Sequence, residues 1–233
     1  MQLVFVCGGR GTRLTPRQVG PKSLIPLGGS TLLARLAGAL AGFHTSAKPP
    51  IVIVDARDQE TPAAVTSLLP TARIVRQPRP DGVANALLLP EPQLDDRVCA
   101  VLGDVFVEGA FAPFPHVPAL LFWRDAPPEE TRKNFGISLD CAGAVRAVIE
   151  KPHDCRDMRC GMGIYVLGRS VISGFCGAPI DARSGEQGMT TAIQSAIDAG
   201  LTFDAVPFSG YYNNVNSPFD VAAVEHRLGQ LVR

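Results

Sequence analysis

The first hundred residues alternate between short apolar runs and stretches of helical spacing, and this alternation constrains the fold more than any other feature. Gln2–Cys7, Ile51–Asp55, Ala72–Arg76 and Arg97–Leu102 read as strands. Between the first two, Leu32, Leu33, Leu36, Leu40 and Phe43 recur at helical intervals within Thr31–Phe43, after a Gly-Gly-Ser start signal. Glu60–Leu69 and Gly82–Leu89 read as the next two helices. Strands joined through helices cannot close as tight hairpins, so the pattern predicts parallel strands with helices on both faces of one sheet. After about residue 110 the texture changes, with prolines at 113, 115, 118, 127 and 128. Short strands are predicted at Ala119–Trp123, Gly136–Leu139, Val145–Glu150 and Gly163–Leu167, and helices at Thr190–Ala199 and Asp220–Leu231. No repeat or linker separates the two textures, so the second half reads as an extension of the same sheet in one mixed α/β domain.

Charge and length exclude several classes. Twenty-two Lys and Arg balance twenty-two Asp and Glu, so a nucleic-acid binder working by charge alone is excluded, though a local basic site is not. No run approaches 18 uninterrupted apolar residues, so no membrane span is predicted. Met1–Gly9 has no cationic n-region and is too short for a signal peptide, which predicts a cytoplasmic protein. The six cysteines are then expected to be free thiols. Cys155 and Cys160 have no second pair at zinc-ribbon spacing, so a structural zinc is not expected.

The strongest chemical signal follows the first strand directly: Cys7-Gly8-Gly9-Arg10-Gly11-Thr12-Arg13-Leu14-Thr15-Pro16. Glycines at a strand's C-terminal end let backbone N–H groups approach and cradle phosphate oxygens. Arg13 adds a planar cation suited to a polyphosphate. Two familiar phosphate loops are ruled out: no Gly-Lys-Ser/Thr occurs here, and Leu14 stands where the dinucleotide fingerprint needs its third glycine. Asp104 closes the apolar run Val98–Leu102, where a carboxylate could hold Mg²⁺ against substrate phosphates or simply start a turn. His44, His116, His153 and His226 fit no motif, and no Ser/His/Asp arrangement points to a covalent intermediate.

The glycine string, followed by Pro21-Lys22, resembles the signature of the sugar-1-phosphate nucleotidyltransferases, the nucleotide-sugar pyrophosphorylases. Further segments are similar to that family in the same order: Gln77–Ala84, Leu102-Gly103-Asp104, Asn134–Ile137, Glu150-Lys151-Pro152, Gly161–Tyr165, Gly185-Glu186 and Thr190-Thr191. The likeness is greatest to the glucose-1-phosphate thymidylyl- and uridylyltransferases. It implies a Rossmann-like nucleotidyltransferase fold, with a mixed, mostly parallel sheet flanked by helices. Within one domain over 1–233, residues 1–110 would take the nucleotide and 111–233 the sugar.

The roles follow from the same resemblance. Gly8, Gly9, Gly11, Thr12 and Arg13 would hold the triphosphate, with Arg13 and Lys22 as the catalytic cations. Gln77 and Gly82 would read a pyrimidine base. Gly136, Glu150, Lys151 and Gly161 would bind the sugar phosphate, and Asp104 and Asn214 would hold Mg²⁺. The implied partners are dTTP or UTP, with CTP the nearest rival, and a sugar 1-phosphate, glucose 1-phosphate by default. Nucleic acid and membrane are not implied, and the oligomeric state is left open. Asn214 departs from the thymidylyltransferase pattern, which has an aspartate there. An amide oxygen can ligate Mg²⁺ but brings no charge. Two alternatives therefore stand beside the main reading: a cytidylyltransferase with another phosphorylated acceptor, and a nucleotide-sugar-binding module impaired in turnover.

Overall fold

The computed structural model describes residues 1–9, 20–111, 117–182 and 185–231. The parallel half is built as the alternation predicts. β1 (Gln2–Val6) and the short hairpin β2 (Pro26–Leu27) and β3 (Ser30–Thr31) precede α1 (Leu32–Leu40). Then come β4 (Ile51–Asp55), α2 (Glu60–Leu68), β5 (Arg73–Gln77), α3 (Val83–Leu88) and β6 (Arg97–Leu102). The second half adds β7 (Val105–Phe111), β8 (Ala119–Trp123), α4 (Pro128–Lys133), β9 (Phe135–Leu139) and β10 (Val145–Glu150). It ends with β11 (Met158–Gly168), α5 (Arg169–Gly174), α6 (Met189–Asp198), β12 (Asp204–Asn214) and α7 (Pro218–Leu231).

Among the described residues, ten strands form one sheet in the order β5-β4-β1-β6-β11-β8-β12-β7, with β9 pairing β11 and β10 pairing β9. β5, β4, β1 and β6 are parallel throughout, and β8, β9 and β12 share their direction. Only β7, β10 and β11 oppose them among the described residues, so the sheet is mixed but mostly of one direction. The chain moves from β1 outward to β4 and β5, then crosses back to place β6 on the other side of β1. That reversal is a topological switch point, where the carboxyl ends of two strands part and leave a crevice.

Successive side chains of β1 supply the two layers of core. Val4 and Val6 face α3, α5 and α6 through Ala84, Leu87, Ile172 and Ile193. Leu3 and Phe5 face α1 and α2 through Leu33, Leu36, Leu40 and Val65. Each such leucine, fully buried, stabilises the fold by about 1.5–3 kcal/mol relative to exposure. Thr31 starts α1, its side chain accepting from the Ala34 N–H at 3.2 Å. A third cluster, including Leu27, Leu32, Phe106 and Val224, seats α7.

The structure corrects the sequence reading in the second half. β7 and β12 are absent from the predicted strands, yet they pair over seven residues from Phe208↔Phe111 to Asn214↔Val105. Gly109 and Gly210 oppose one another inside this ladder. A Cβ on Gly109 would lie 2.6 Å from the Ser209 carbonyl oxygen, so glycine here permits close approach of strands. β11 is more than twice the predicted Gly163–Leu167, because it pairs β6 along one half and β9 along the other. Pro127 and Pro128, noted in the sequence only for their clustering, open α4, where proline's missing N–H costs nothing. α7 starts at Pro218 rather than Asp220. Ser217 caps it, with its N–H and Oγ donating to Asp220 Oδ2 at 2.8 and 2.7 Å. No helix among the described residues is long and apolar enough to cross a membrane.

Candidate functional site at the strand switch point

Beyond β1 the chain runs on through Cys7, Gly8 and Gly9 at the switch point. The ladder extends one residue past the strands, with the Cys7 N–H on the Ile53 carbonyl at 2.7 Å and the Gly103 N–H on the Val6 carbonyl at 2.8 Å. The two strand ends, and with them Gly8 and Asp104, are thereby held side by side. Lys22 returns to the same place, its N–H donating to the Gly9 carbonyl at 3.3 Å. Its ammonium lies 3.2 Å from Asp104 Oδ2 and also donates to Asn216 Oδ1. The Lys22 and Asp104 side chains are 15% and 22% exposed. The pair is sheltered enough for its electrostatics to exceed those of a surface ion pair.

Gln77, the last residue of β5, closes one wall. Its Nε2 donates to Asp81 Oδ1 at 2.8 Å and to the Gly82 carbonyl at 3.2 Å. Both partners are acceptors, so the amide nitrogen must face them, and Oε1 points toward Gly8. The Gly82 loop is latched in turn to the segment before α6. The Gln187 N–H donates to the Asp81 carbonyl at 2.7 Å, and the Ala84 N–H donates to the Gln187 carbonyl at 3.1 Å. Gly8, Gly9, Lys22, Gln77, Gly82 and Asp104 thus line a single cavity.

A second, larger cavity adjoins it, sharing Val83, Leu102 and Glu186. Glu150 and Lys151 line its wall, 4.0 Å apart, and Thr190 Oγ1 donates to Glu150 Oε2 at 2.8 Å. Lys151 sits at φ 44°, a left-handed conformation rare for a residue with a Cβ. Its N–H donates to the Asn134 carbonyl at 2.9 Å. Lys133 adds a cation at this wall, with Glu130 at 2.6 Å holding its pKa above the usual lysine value.

Asn214 ends β12 beside Asp104, for the Val215 N–H donates to the Asp104 carbonyl at 2.8 Å. Its Nδ2 donates to Asn134 Oδ1 at 3.2 Å, while its Oδ1 is buried without a hydrogen-bond partner among the described residues. A carboxylate and an orphaned amide oxygen are hard donors. They fit Mg²⁺, which takes one or two protein oxygens and completes its shell from water and substrate phosphates. No group of three or more His, Cys, Asp or Glu among the described residues is placed to hold a metal.

The structure thus brings Gly8, Gly9, Lys22, Gln77, Gly82 and Asp104 together, and Glu150, Lys151 and Asn214 beside them. Gly11, Thr12 and Arg13 lie outside the described residues. Gly136 and Gly161 are not in either lining. A Cβ on Gly161 would meet the Phe135 ring at 2.2 Å, and one on Gly136 would meet Met158 Sδ at 2.6 Å, so at both positions glycine lets a side chain pack close. Sequence reasoning assigned no role to Asn134 or Asn216. The Asn-rich turn at 213–216 was the available signal for Asn216, and the family-like segment Asn134–Ile137 was the signal for Asn134.

Cys7 lines the first cavity, but burial pushes its thiol up to about 12. The thiolate is the reactive form. Folded protein at pH 8 should therefore leave Cys7 unmodified by iodoacetamide while the exposed Cys141 and Cys176 react. Peptide mapping reads this out, and early labelling of Cys7 would mean the strand end is open.

A family model described as Nucleotidyl transferase matches residues 3–218. The bifunctional protein GlmU of Methanocaldococcus jannaschii is 24% identical over 95% of this chain and 52% of its own length. The chain spans about half the length of the GlmU proteins it matches. The UTP–glucose-1-phosphate uridylyltransferase AglF of Haloferax volcanii is 24% identical over 98% of this chain and 96% of its own. Among solved structures, a UDP-glucose pyrophosphorylase complexed with UDP-glucose superposes with a TM-score of 0.80 at 15% identity. That match covers 99% of this chain and 98% of the other, and at such identity it speaks for the fold.

Proposed function

This chain belongs to the nucleotidyl transferase family, and from that premise we propose that it transfers the nucleotidyl group of UTP or dTTP to a sugar 1-phosphate, releasing pyrophosphate, with Mg²⁺ as its cofactor. One observation carries the reading. A cavity built on Gly8, Gly9, Lys22, Gln77 and Asp104 opens into a second one holding Glu150, Lys151 and Asn214. Donor and acceptor can then lie end to end, the donor against residues of 1–110 and the acceptor against those of 111–233. Such an enzyme works where free nucleotides and sugar phosphates are, in the cytoplasm.

The reaction asks little covalent chemistry of the protein. An oxygen of the acceptor phosphate attacks the α-phosphorus in line, and the bond to the β-phosphate oxygen breaks as pyrophosphate leaves. The nucleophile is already ionised near neutral pH, so no side chain need take a proton. Positioning and charge neutralisation remain. Lys22 lines the first cavity and donates to Asn216 in the wall of the second, so its ammonium would reach both reacting phosphates. The Gly8 and Gly9 backbone would cradle the triphosphate, and Arg13 would hold the departing pyrophosphate. Lys151 would align the acceptor phosphate, with Glu150 accepting from sugar hydroxyls. Asp104 and Asn214 would hold Mg²⁺, which when bound neutralises phosphate oxygens. Gln77 favours uracil or thymine: its amide donors are taken by Asp81 and Gly82, and Oε1 can accept the N3–H that cytosine lacks.

Incubation of the protein and Mg²⁺ with each nucleoside triphosphate against a panel of phosphorylated acceptors tests this. Pyrophosphate is expected with UTP or dTTP and a hexose 1-phosphate. Turnover with CTP alone would overturn the base assignment. Nucleotide-sugar binding without pyrophosphate on any pairing would leave a binding module.

A further inference from the structure

We propose that Asn134 is a positioning residue that fixes the flip of Asn214, so that the amide oxygen of Asn214 and not its NH₂ faces the cation site. The proposal rests on the reading of Asn214 as a metal ligand. An aspartate presents an oxygen whichever way its carboxylate turns. An asparagine does not, because its two ends have nearly the same shape and opposite polarity. Turned the wrong way, it would aim N–H dipoles at a cation.

The hydrogen bonds leave one arrangement. At the end of α4, the Glu130 carbonyl can only accept. It takes the Asn134 N–H at 3.0 Å and Asn134 Nδ2 at 2.9 Å. The Asn134 oxygen must then face the other way, toward Asn214, whose Nδ2 donates to it at 3.2 Å. That leaves Asn214 Oδ1 on the far side, buried and without a hydrogen-bond partner among the described residues. A buried carbonyl oxygen left unpaired is destabilising, and a ligand on that oxygen offsets the loss. Asn134 is itself 7% exposed, and its carbonyl holds the Lys151 N–H, so it has little freedom to turn. Polarity thus passes from a helix-end carbonyl through two amides to one oxygen.

The test uses Mn²⁺ alone, titrated into the folded protein and read from the EPR signal of the free ion. Asn134→Leu removes the relay and should weaken Mn²⁺ binding about tenfold, as loss of a group that orients a metal ligand does. Asn134→Asp keeps an acceptor for Asn214 and should bind Mn²⁺ at least as well as the parent. In an Asn214→Asp background, Asn134→Leu should change the affinity less than about twofold, since a carboxylate has no wrong face. Unchanged affinity for Asn134→Leu in the parent, or equal losses in both backgrounds, would overturn the proposal. Should the leucine variant fail to fold, Asn134→Ser, too short to reach Asn214, replaces it. Asn214→Ala separates the underlying reading: if it leaves Mn²⁺ binding intact, Asn214 is not a ligand at all.

Discussion

Asp104→Asn is expected to lower kcat by roughly 10²–10³-fold, the cost of losing one group that stabilises charge in a transition state. Asparagine keeps the shape of the side chain, and the position lies on a loop between β6 and β7 whose backbone is tied to Val215. The fold should therefore survive, and circular dichroism should not change. What is lost is the carboxylate charge that lies 3.2 Å from the Lys22 ammonium. With Asn214 already neutral, the two proposed ligands would both be amides and neither would be anionic. Initial rates of pyrophosphate release at saturating donor and acceptor, over a range of Mg²⁺, measure the effect. A kcat within about threefold of the parent would remove Asp104 from the mechanism.

Gly82→Ala is expected to cost stability rather than chemistry. Gly82 has φ 111°, and a Cβ there would lie 2.2–2.6 Å from the O, C and N of Gln187. Gln187 cannot easily give way. Its Nε2 donates to the Phe175 and Ala178 carbonyls, both at 2.8 Å, and its own N–H and carbonyl bridge to Asp81 and Ala84. Backbone strain of about 1–3 kcal/mol and overpacking of similar size together give a loss of about 2–6 kcal/mol. For a chain of this length that lowers Tm by on the order of 10 °C. The Gln77 acceptor should also be displaced, weakening UTP or dTTP binding at temperatures where the variant is folded. A thermal melt within about 2 °C of the parent would mean that the latch between the Gly82 loop and Gln187 is not rigid.

The parallel half was legible because its information is local. Apolar runs, helical spacing and a glycine-rich turn each lie within a dozen residues, and they locate β1, β4, β5 and β6 and the crevice between β1 and β6. Asp104 was legible for the same reason, as a carboxylate ending an apolar run. β7 and β12 were not, because Pro207 and the facing Gly109 and Gly210 read as breakers until the partner strand is seen. The contacts of Asn134 and Asn216 were illegible for a different reason. Asn134 meets Asn214 across 80 residues, and Lys22 meets Asn216 across 194. No periodicity carries such contacts. At Gly161 the Phe135 ring fills the place of a Cβ, a packing need that the motif does not reveal.

The most direct measurement is anomalous diffraction from Mn²⁺ in crystals grown with whichever triphosphate supports turnover. The account predicts one strong peak in contact with an Asp104 carboxylate oxygen and Asn214 Oδ1, with the triphosphate lying along Gly8 and Gly9. A peak remote from both side chains, or a triphosphate bound away from the β1–β6 crevice, would contradict it.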